Sequence, residues 1–217
     1  MTAATPGPTP LRVSAVIPAL DEAGSIGAVV ADARTHADEV IVVDGGSGDG
    51  TAALAAVAGA IVVDAPRGRA VQMNAGAARA RGDVLLFLHA DCRLPADAGR
   101  AVREAIGRGA RWGRFDVRLD SPRLALAVVG AMMNLRSRLT GIATGDQAIF
   151  VDRALWEALG GYAPIPLMED VELCGRARRV ARCACLDDRV TVSARRWERR
   201  GVVRTVLEMW AWRAAYA

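Results

Sequence analysis

Lysine is missing altogether: all 28 basic residues of this 217-residue chain are arginine. That absence reads as genome base composition and names no partner, so the placement of the arginines is the informative part. Histidine is nearly missing too, with two in the chain. The four cysteines (Cys92, Cys174, Cys183 and Cys185) contain no Cys-x-x-Cys pair. Both shortages speak against a structural zinc site and leave reduced, structural thiols as the expectation. No apolar run approaches the roughly 18–20 residues of a membrane span. The opening "MTAATPGPTP" has neither the charged nor the apolar region of a secretory signal, so 1–11 is expected to be a flexible leader and the protein cytoplasmic.

What is present suits one globular domain: 52% of the residues are apolar, enough to close a core at this length without disulfides. Arginine is concentrated late in the chain, with ten between Arg176 and Arg204 against Asp187, Asp188 and Glu198. Nucleic acid, anionic lipid or a phosphate-bearing substrate could face such a block, as could plain solvent.

Apolar, β-branched runs alternate with alanine-rich helical stretches through the first half. Strands are expected over 12–18, 39–44, 60–64 and 84–89, with helices over 25–35, after Gly50 and over 71–80. Strands apolar on both faces in a βαβαβαβ order predict a mostly parallel, doubly wound α/β sheet flanked by helices. Ligands of such sheets sit beyond the carboxyl ends of the strands, which brings Asp21, Asp44 and Asp91 toward one crevice. In the second half, strands are expected over 114–119, 147–151 and 189–194. Helices are expected near 122–139, over 168–180 and, rich in tryptophan, over 201–216.

Four short motifs could carry chemistry, and each has a plain structural reading. "VVDGGSGDGT" does not fit the Gly-x-Gly-x-x-Gly dinucleotide pattern, although Asp44 to Gly50 has the spacing of a methyltransferase motif. An acid there would accept hydrogen bonds from a ribose or base; the same glycines would also make an unliganded turn. "VIPALDEAGSI" places Asp21 and Glu22 before a helix, where they could simply favour its dipole. In "RGRAVQMNAG", Arg67 and Arg69 precede a helix that presents Asn74, an arrangement suited to phosphate. "MEDVELCGRARR" opens a helix with Glu169 and Asp170, acids that could stabilise the first turn or supply a general base.

Taken together, "VIPALDE", "VVDGGSGDGT", "GRAVQMNAG…ARGDVLLFLHAD…LP", "GDQAIFV…ALGGY" and "MEDVELCGRARR" resemble glycosyltransferase family 2 in order and spacing over about 12–200. "FLHADCRLP" and "SARRWERRG" further resemble a small bacterial subgroup linked to arsenosugar biosynthesis and radical S-adenosylmethionine gene neighbourhoods. The resemblance implies a GT-A fold, a nucleotide-sugar donor, usually UDP-linked, and inversion at the anomeric carbon. It implies that Pro18, Ala19, Asp21, Glu22, Asp44, Arg69 and Asn74 line the nucleotide, and that Asp91 is the last aspartate of an Asp-x-Asp motif for Mn2+ or Mg2+. His89 stands where that motif has its first aspartate; as a ligand an imidazole suits Mn2+ better than Mg2+, and it could equally turn aside to hydrogen-bond the nucleotide, leaving Asp91 and the diphosphate to hold the ion. By the same resemblance Gly145, Asp146 and Gln147 border the acceptor, Asp170 is the catalytic base and Glu169 its partner. Arg196-Trp197 resembles the end of a Gln-x-x-Arg-Trp motif, but Ser193 replaces the glutamine, which speaks against a processive polymerase.

The expected organisation is one domain over 12–217: a nucleotide-binding half (12–91), an acceptor half (92–200) and a C-terminal amphipathic helix (201–217). The partners expected are a donor nucleotide-sugar and a small or lipid-like acceptor, with no nucleic acid. Trp210, Trp212 and Tyr216 suit either a peripheral contact at the inner membrane face or a homodimer contact. A methyltransferase and a non-catalytic nucleotide-sugar binder remain the alternatives from other classes.

Overall fold

The structure, a computed structural model, describes residues 10–202, 204 and 205. The leader up to residue 9, Trp210, Trp212 and Tyr216 lie outside the described residues, as does the side chain of Arg196.

One eight-stranded sheet runs in the order β3-β2-β1-β4-β7-β6-β8-β5. Its first half is built as expected from β1 (Val13–Ala19), β2 (Glu39–Asp44), β3 (Ile61–Asp64) and β4 (Val84–Phe87). These four are parallel, with β1 between β2 and β4. Helices α1 (Ile26–Ala33), α2 (Thr51–Val57) and α3 (Arg69–Arg79) cross between them. The strands are buried on both faces: Val13, Ala15 and Ile17 join one core cluster, Val16 and Ile41 the other.

The second half adds β5 (Cys92–Arg93), α4 (Ala98–Gly107), β6 (Trp112–Asp120), α5 (Leu124–Thr140), β7 (Phe150–Asp152), α6 (Arg153–Leu159), α7 (Glu169–Val180), β8 (Ala184–Ser193) and α8 (Arg195–Arg200). β7 is antiparallel to both β4 and β6, while β6 and β8 run parallel. Three expectations are corrected here. Residues 147–151 are only partly strand: Gly145–Gln147 form a 3-10 turn, because Gln147 turns its carboxamide inward to Ser137 Oγ at 3.0 Å. Arg69 does not precede its helix but opens it. The fourth strand stops at Phe87, so His89, Ala90 and Asp91 form a turn beyond its end.

Close packing of α3 on the sheet sets where its arginine-bearing N-terminus lies. A Cβ at Gly76 would overlap Val16 and crowd Val43 Cγ2 at 2.8 Å. Gly76→Ala should therefore push α3 away from β1 and β2, lowering stability by about 1–3 kcal/mol. Urea unfolding with an unchanged m-value would check this.

Candidate active site

The first two βα loops are laced into one unit. The Asp21 carboxylate accepts from Gly48 N–H at 2.9 Å, and Asp21 N–H donates to Ser47 Oγ at 2.9 Å. Glu22 N–H donates to Thr51 Oγ1 and Ala23 N–H to Asp49. Asp44, nearly buried, accepts from Gly46 and Ser47 N–H through one oxygen and from the Ser47 hydroxyl through the other. Asp21 and Asp44 thus shape the glycine loop. Gly46 and Gly50 hold positive φ there, at 88° and 89°, which a side chain would strain.

A cavity of about 420 Å³ opens beyond the carboxyl ends of β1 and β4. Of the residues expected in the site, Pro18, Ala19, Glu22, Arg69, His89, Asp91, Asp146 and Trp197 line it. Arg67, Gln72 and Ser193 line it as well. Asp21, Asp44, Asn74, Gly145, Gln147, Glu169 and Asp170 are not among the residues that line it. Asn74 is engaged elsewhere: its carboxamide donates to Tyr162 C=O at 2.8 Å and accepts from Tyr162 N–H at 2.9 Å. It fastens the "GGY" loop, which Phe87 and Trp156 also grip through ring contacts with Tyr162 at 5.0 and 5.4 Å. Gln147 is fully buried and braces the neighbouring core.

Two carboxylate groupings flank His89. Its Nδ1 lies 3.2 Å from Asp146 Oδ1, and its ring occupies the space a Cβ on Gly145 would need. Gly145 is thus required for the imidazole to lie against the turn. Gly145 N–H in turn donates to Asp170 at 2.7 Å, coupling the start of α7 to the cavity wall. Burial raises the Asp170 carboxyl above the usual carboxylate value, opposed by the N–H groups of Gly145 and Val171. Glu169 is raised too, first by burial and then by the neighbouring Asp170 charge.

The described non-glycine residues with positive φ are Asp21 (53°), Ala148 (44°) and Met168 (65°). Each sits in a loop that forms this site, immediately beside Glu22, Gln147 or Glu169. Strained backbone of this kind costs on the order of 1–3 kcal/mol per residue and concentrates where a site demands it.

His89, Asp91 and Cys92 offer ligand atoms within 4.8 Å of one another. His89 and Asp91 face the cavity, whereas Cys92 is fully buried and its thiol is held well above its ordinary value, chiefly by burial. A nitrogen of His89 and an oxygen of Asp91 are donors that fit a divalent cation such as Mn2+, with the neutral thiol behind them. Cys92 was missed in the sequence because a cysteine after a strand reads as core. Gln72 was missed as well: its Nε2 donates to Ala19 C=O at 2.9 Å and Val43 C=O at 2.8 Å, tying two strand ends together. A glutamine among the small, buried residues of α3 was the available signal.

A parallel half-sheet with a cavity at its carboxyl ends, extended by mixed strands that bring in a Glu-Asp helix start, defines the GT-A fold of nucleotide-diphospho-sugar transferases. Residues 14–125 match the family model for glycosyl transferase family 2, and the chain belongs to that family. Solved structures agree on the fold. A Pyrobaculum calidifontis mannosyltransferase in complex with GDP-Man and Mn2+ is 20% identical, with a TM-score of 0.66 over 84% of this chain and 57% of that one. The Mycobacterium tuberculosis glucosyl-3-phosphoglycerate synthase, in complex with Mn2+, UDP and glucosyl-3-phosphoglycerate, is 22% identical, with a TM-score of 0.60 over 88% and 77%. TarS 1–349 of S. aureus is 18% identical, with a TM-score of 0.69 over 85% and 61%. The chain spans less than two thirds of the mannosyltransferase and TarS chains. No curated protein matches significantly. The family match leaves the methyltransferase and non-catalytic readings without support.

A raised carboxyl means that the folded protein holds this proton more tightly than the unfolded chain does. The resulting stabilisation is full below the unfolded value and is lost as pH rises through the folded one. Glu169→Gln should therefore melt higher than the parent protein at about pH 8, with the gap closing at about pH 4, where the parent carboxyl is protonated. Calorimetry at the two pH values measures it.

Proposed function

We propose that the protein is an inverting glycosyltransferase that moves a sugar from a nucleotide-diphosphate sugar, UDP-linked, to a hydroxyl of a small or lipid-like acceptor. The observation that carries this reading is the single cavity shared by the first βα loop, Arg67, Arg69, His89, Asp91 and Asp146. Family membership and the Mn2+-bound and nucleotide-bound structural relatives support it. The resemblance of "FLHADCRLP" and "SARRWERRG" to the arsenosugar-linked subgroup supports the narrower placement within the family.

Pro18 and Ala19 would form the apolar floor under the nucleoside, with Glu22 at its edge and Asp21 and Asp44 holding the loop rigid. Arg67 and Arg69 would lie along the diphosphate, offering fixed charge where negative charge grows as the sugar–phosphate bond breaks. His89 and Asp91 would hold a divalent cation, with Asp146 orienting the imidazole. Bound there, the cation would neutralise the leaving diphosphate. Asp170 would take the acceptor hydroxyl's proton while that oxygen bonds the anomeric carbon from the face opposite the departing diphosphate. Burial suits this role, since a carboxylate with a raised pKa is a stronger base at neutral pH. Glu169 would tune it by charge. Trp197 and Ser193 would close the rim, and the motif's Arg196 would act from the same segment.

Isothermal titration should show UDP binding that strengthens with Mn2+ or Mg2+, and no binding of S-adenosylmethionine; the opposite pattern would sink the reading. In a donor and acceptor panel, Asp170→Asn should lower turnover by about 10²–10⁴-fold with UDP affinity unchanged. Because the base must be ionised, the acid limb of kcat/KM should lie above the ordinary aspartate value of about 3.9. An Asp170→Asn enzyme with full turnover would remove Asp170 from the role.

A further inference from the structure

Helix α5 is apolar on two opposite faces. Leu126, Gly130, Met133 and Ser137 are buried on the side toward the sheet. Asn134 locks the rotation, accepting from Val117 N–H at 2.8 Å and donating to Val117 C=O at 3.0 Å. The outward side carries Leu124, Val128, Met132, Leu135 and Leu139, which are 79, 51, 62, 56 and 77% exposed. At about 100° per residue these five fall within an arc of about 80°. The exposed alanines 125, 127 and 131 flank them, and Leu124 to Leu135 includes no charged residue. Scattered exposed leucines need no explanation, but a continuous ridge along 17 residues does.

Arginine outnumbers acid around this ridge, although Glu198 accepts from Ser121 Oγ at 3.0 Å just before its first turn. Residues 121–145 contain Arg123, Arg136 and Arg138 and no acid, with Nε and one terminal nitrogen of Arg136 buried and Arg123 and Arg138 exposed. At the carboxyl end of α5 the ridge runs into a cleft of about 840 Å³ where Leu139 and the exposed Val180 alternate with Arg138, Arg178, Arg179 and Arg182. Arg138 is bonded to two acids, Asp187 at 2.6 Å and Asp116 at 2.8 Å, so the exposed Arg178, Arg179 and Arg182 carry most of the positive charge of the cleft.

We propose that this face is a membrane-binding surface: the α5 ridge lies in the headgroup boundary of an anionic bilayer, and the arginines of the adjoining cleft sit on lipid phosphates. Apolar side chains on one face bordered by arginine is the composition that holds a helix in the interfacial plane. Among the described residues no helix is long and apolar enough to cross a membrane. A second copy of the chain fits less well, because pairing two such faces sets like charges together. Residues 206–217, with one glutamate and one arginine, offer no matching negative charge. The inference is independent of the transfer reaction.

Co-sedimentation of the full chain with vesicles tests it. Phosphatidylglycerol-containing vesicles should pellet the protein, pure phosphatidylcholine vesicles about tenfold less, and high salt should weaken the first. Leu135→Ser/Leu139→Ser should weaken binding to anionic vesicles by about tenfold or more; both side chains are exposed, and unchanged UDP binding would report an intact fold. Arg178→Gln/Arg179→Gln should lower binding to anionic vesicles while leaving the phosphatidylcholine arm alone. Three outcomes would overturn the inference. One is no pelleting with any vesicle. Another is a lipid-free dimer that the leucine variant makes monomeric. The third is binding lost in Trp210→Ser/Trp212→Ser but kept in the leucine variant.

Discussion

The site depends on one buried carboxamide. Strands that end at a crevice leave backbone carbonyls pointing into it, and an unpaired buried carbonyl costs about 1–3 kcal/mol. Gln72 donates to two of them, Val43 C=O and Ala19 C=O (the latter shared with Gly45 N–H at 2.9 Å), at the ends of β2 and β1, and accepts from Gly68 N–H at 3.3 Å. Two walls of the cavity, the Pro18-Ala19 end of β1 and the turn that presents Arg67 and Arg69, are thereby held by a single side chain, which also fixes the end of β2 before the glycine loop. Gly45 is bound to the same constraint, since a Cβ there would come within 3.1 Å of Gln72 Nε2.

On the other side of the cavity a relay of contacts plays the equivalent part. Asp146 holds the His89 ring, the ring lies against Gly145, and Gly145 N–H reaches Asp170. A shift at any of these positions would move the nitrogen of His89 and the carboxylate of Asp170 together. The cation corner and the acidic helix start of α7 form one mechanical unit, although 80 residues separate them in sequence (from 89 to 169). Backbone strain at Ala148 and Met168 lies at the two ends of this unit.

The parallel half of the fold was legible because its strands are short apolar runs separated by helices, a local signal. Strand ends alone pointed to Asp21, Asp44 and Asp91, of which Asp91 lines the cavity; Pro18, Glu22, Arg69 and His89, which also line it, came from the family resemblance. What was illegible depends on partners far along the chain. Gln147 reads as part of the strand "QAIFV", yet Ser137 and Asn134 draw its side chain into the core. Asn74 faces the site by helix spacing, but the backbone of Tyr162 takes up its carboxamide. The two-residue β5 exists because Cys92 and Arg93 meet β8 from the far end of the chain. The exposed ridge of α5 was hidden for another reason: an apolar helix reads as core on every face until the structure shows which face is covered.

The central claim is that His89 and Asp91 make this cavity a cation-assisted nucleotide-diphosphate site. Electron paramagnetic resonance of Mn2+ tests it without knowledge of the acceptor. Adding protein and UDP together should remove the sharp signal of free Mn2+, and Asp91→Ala should restore it while the protein stays folded. A free-ion signal unchanged by protein and UDP, or one lost equally with Asp91→Ala, would contradict the account.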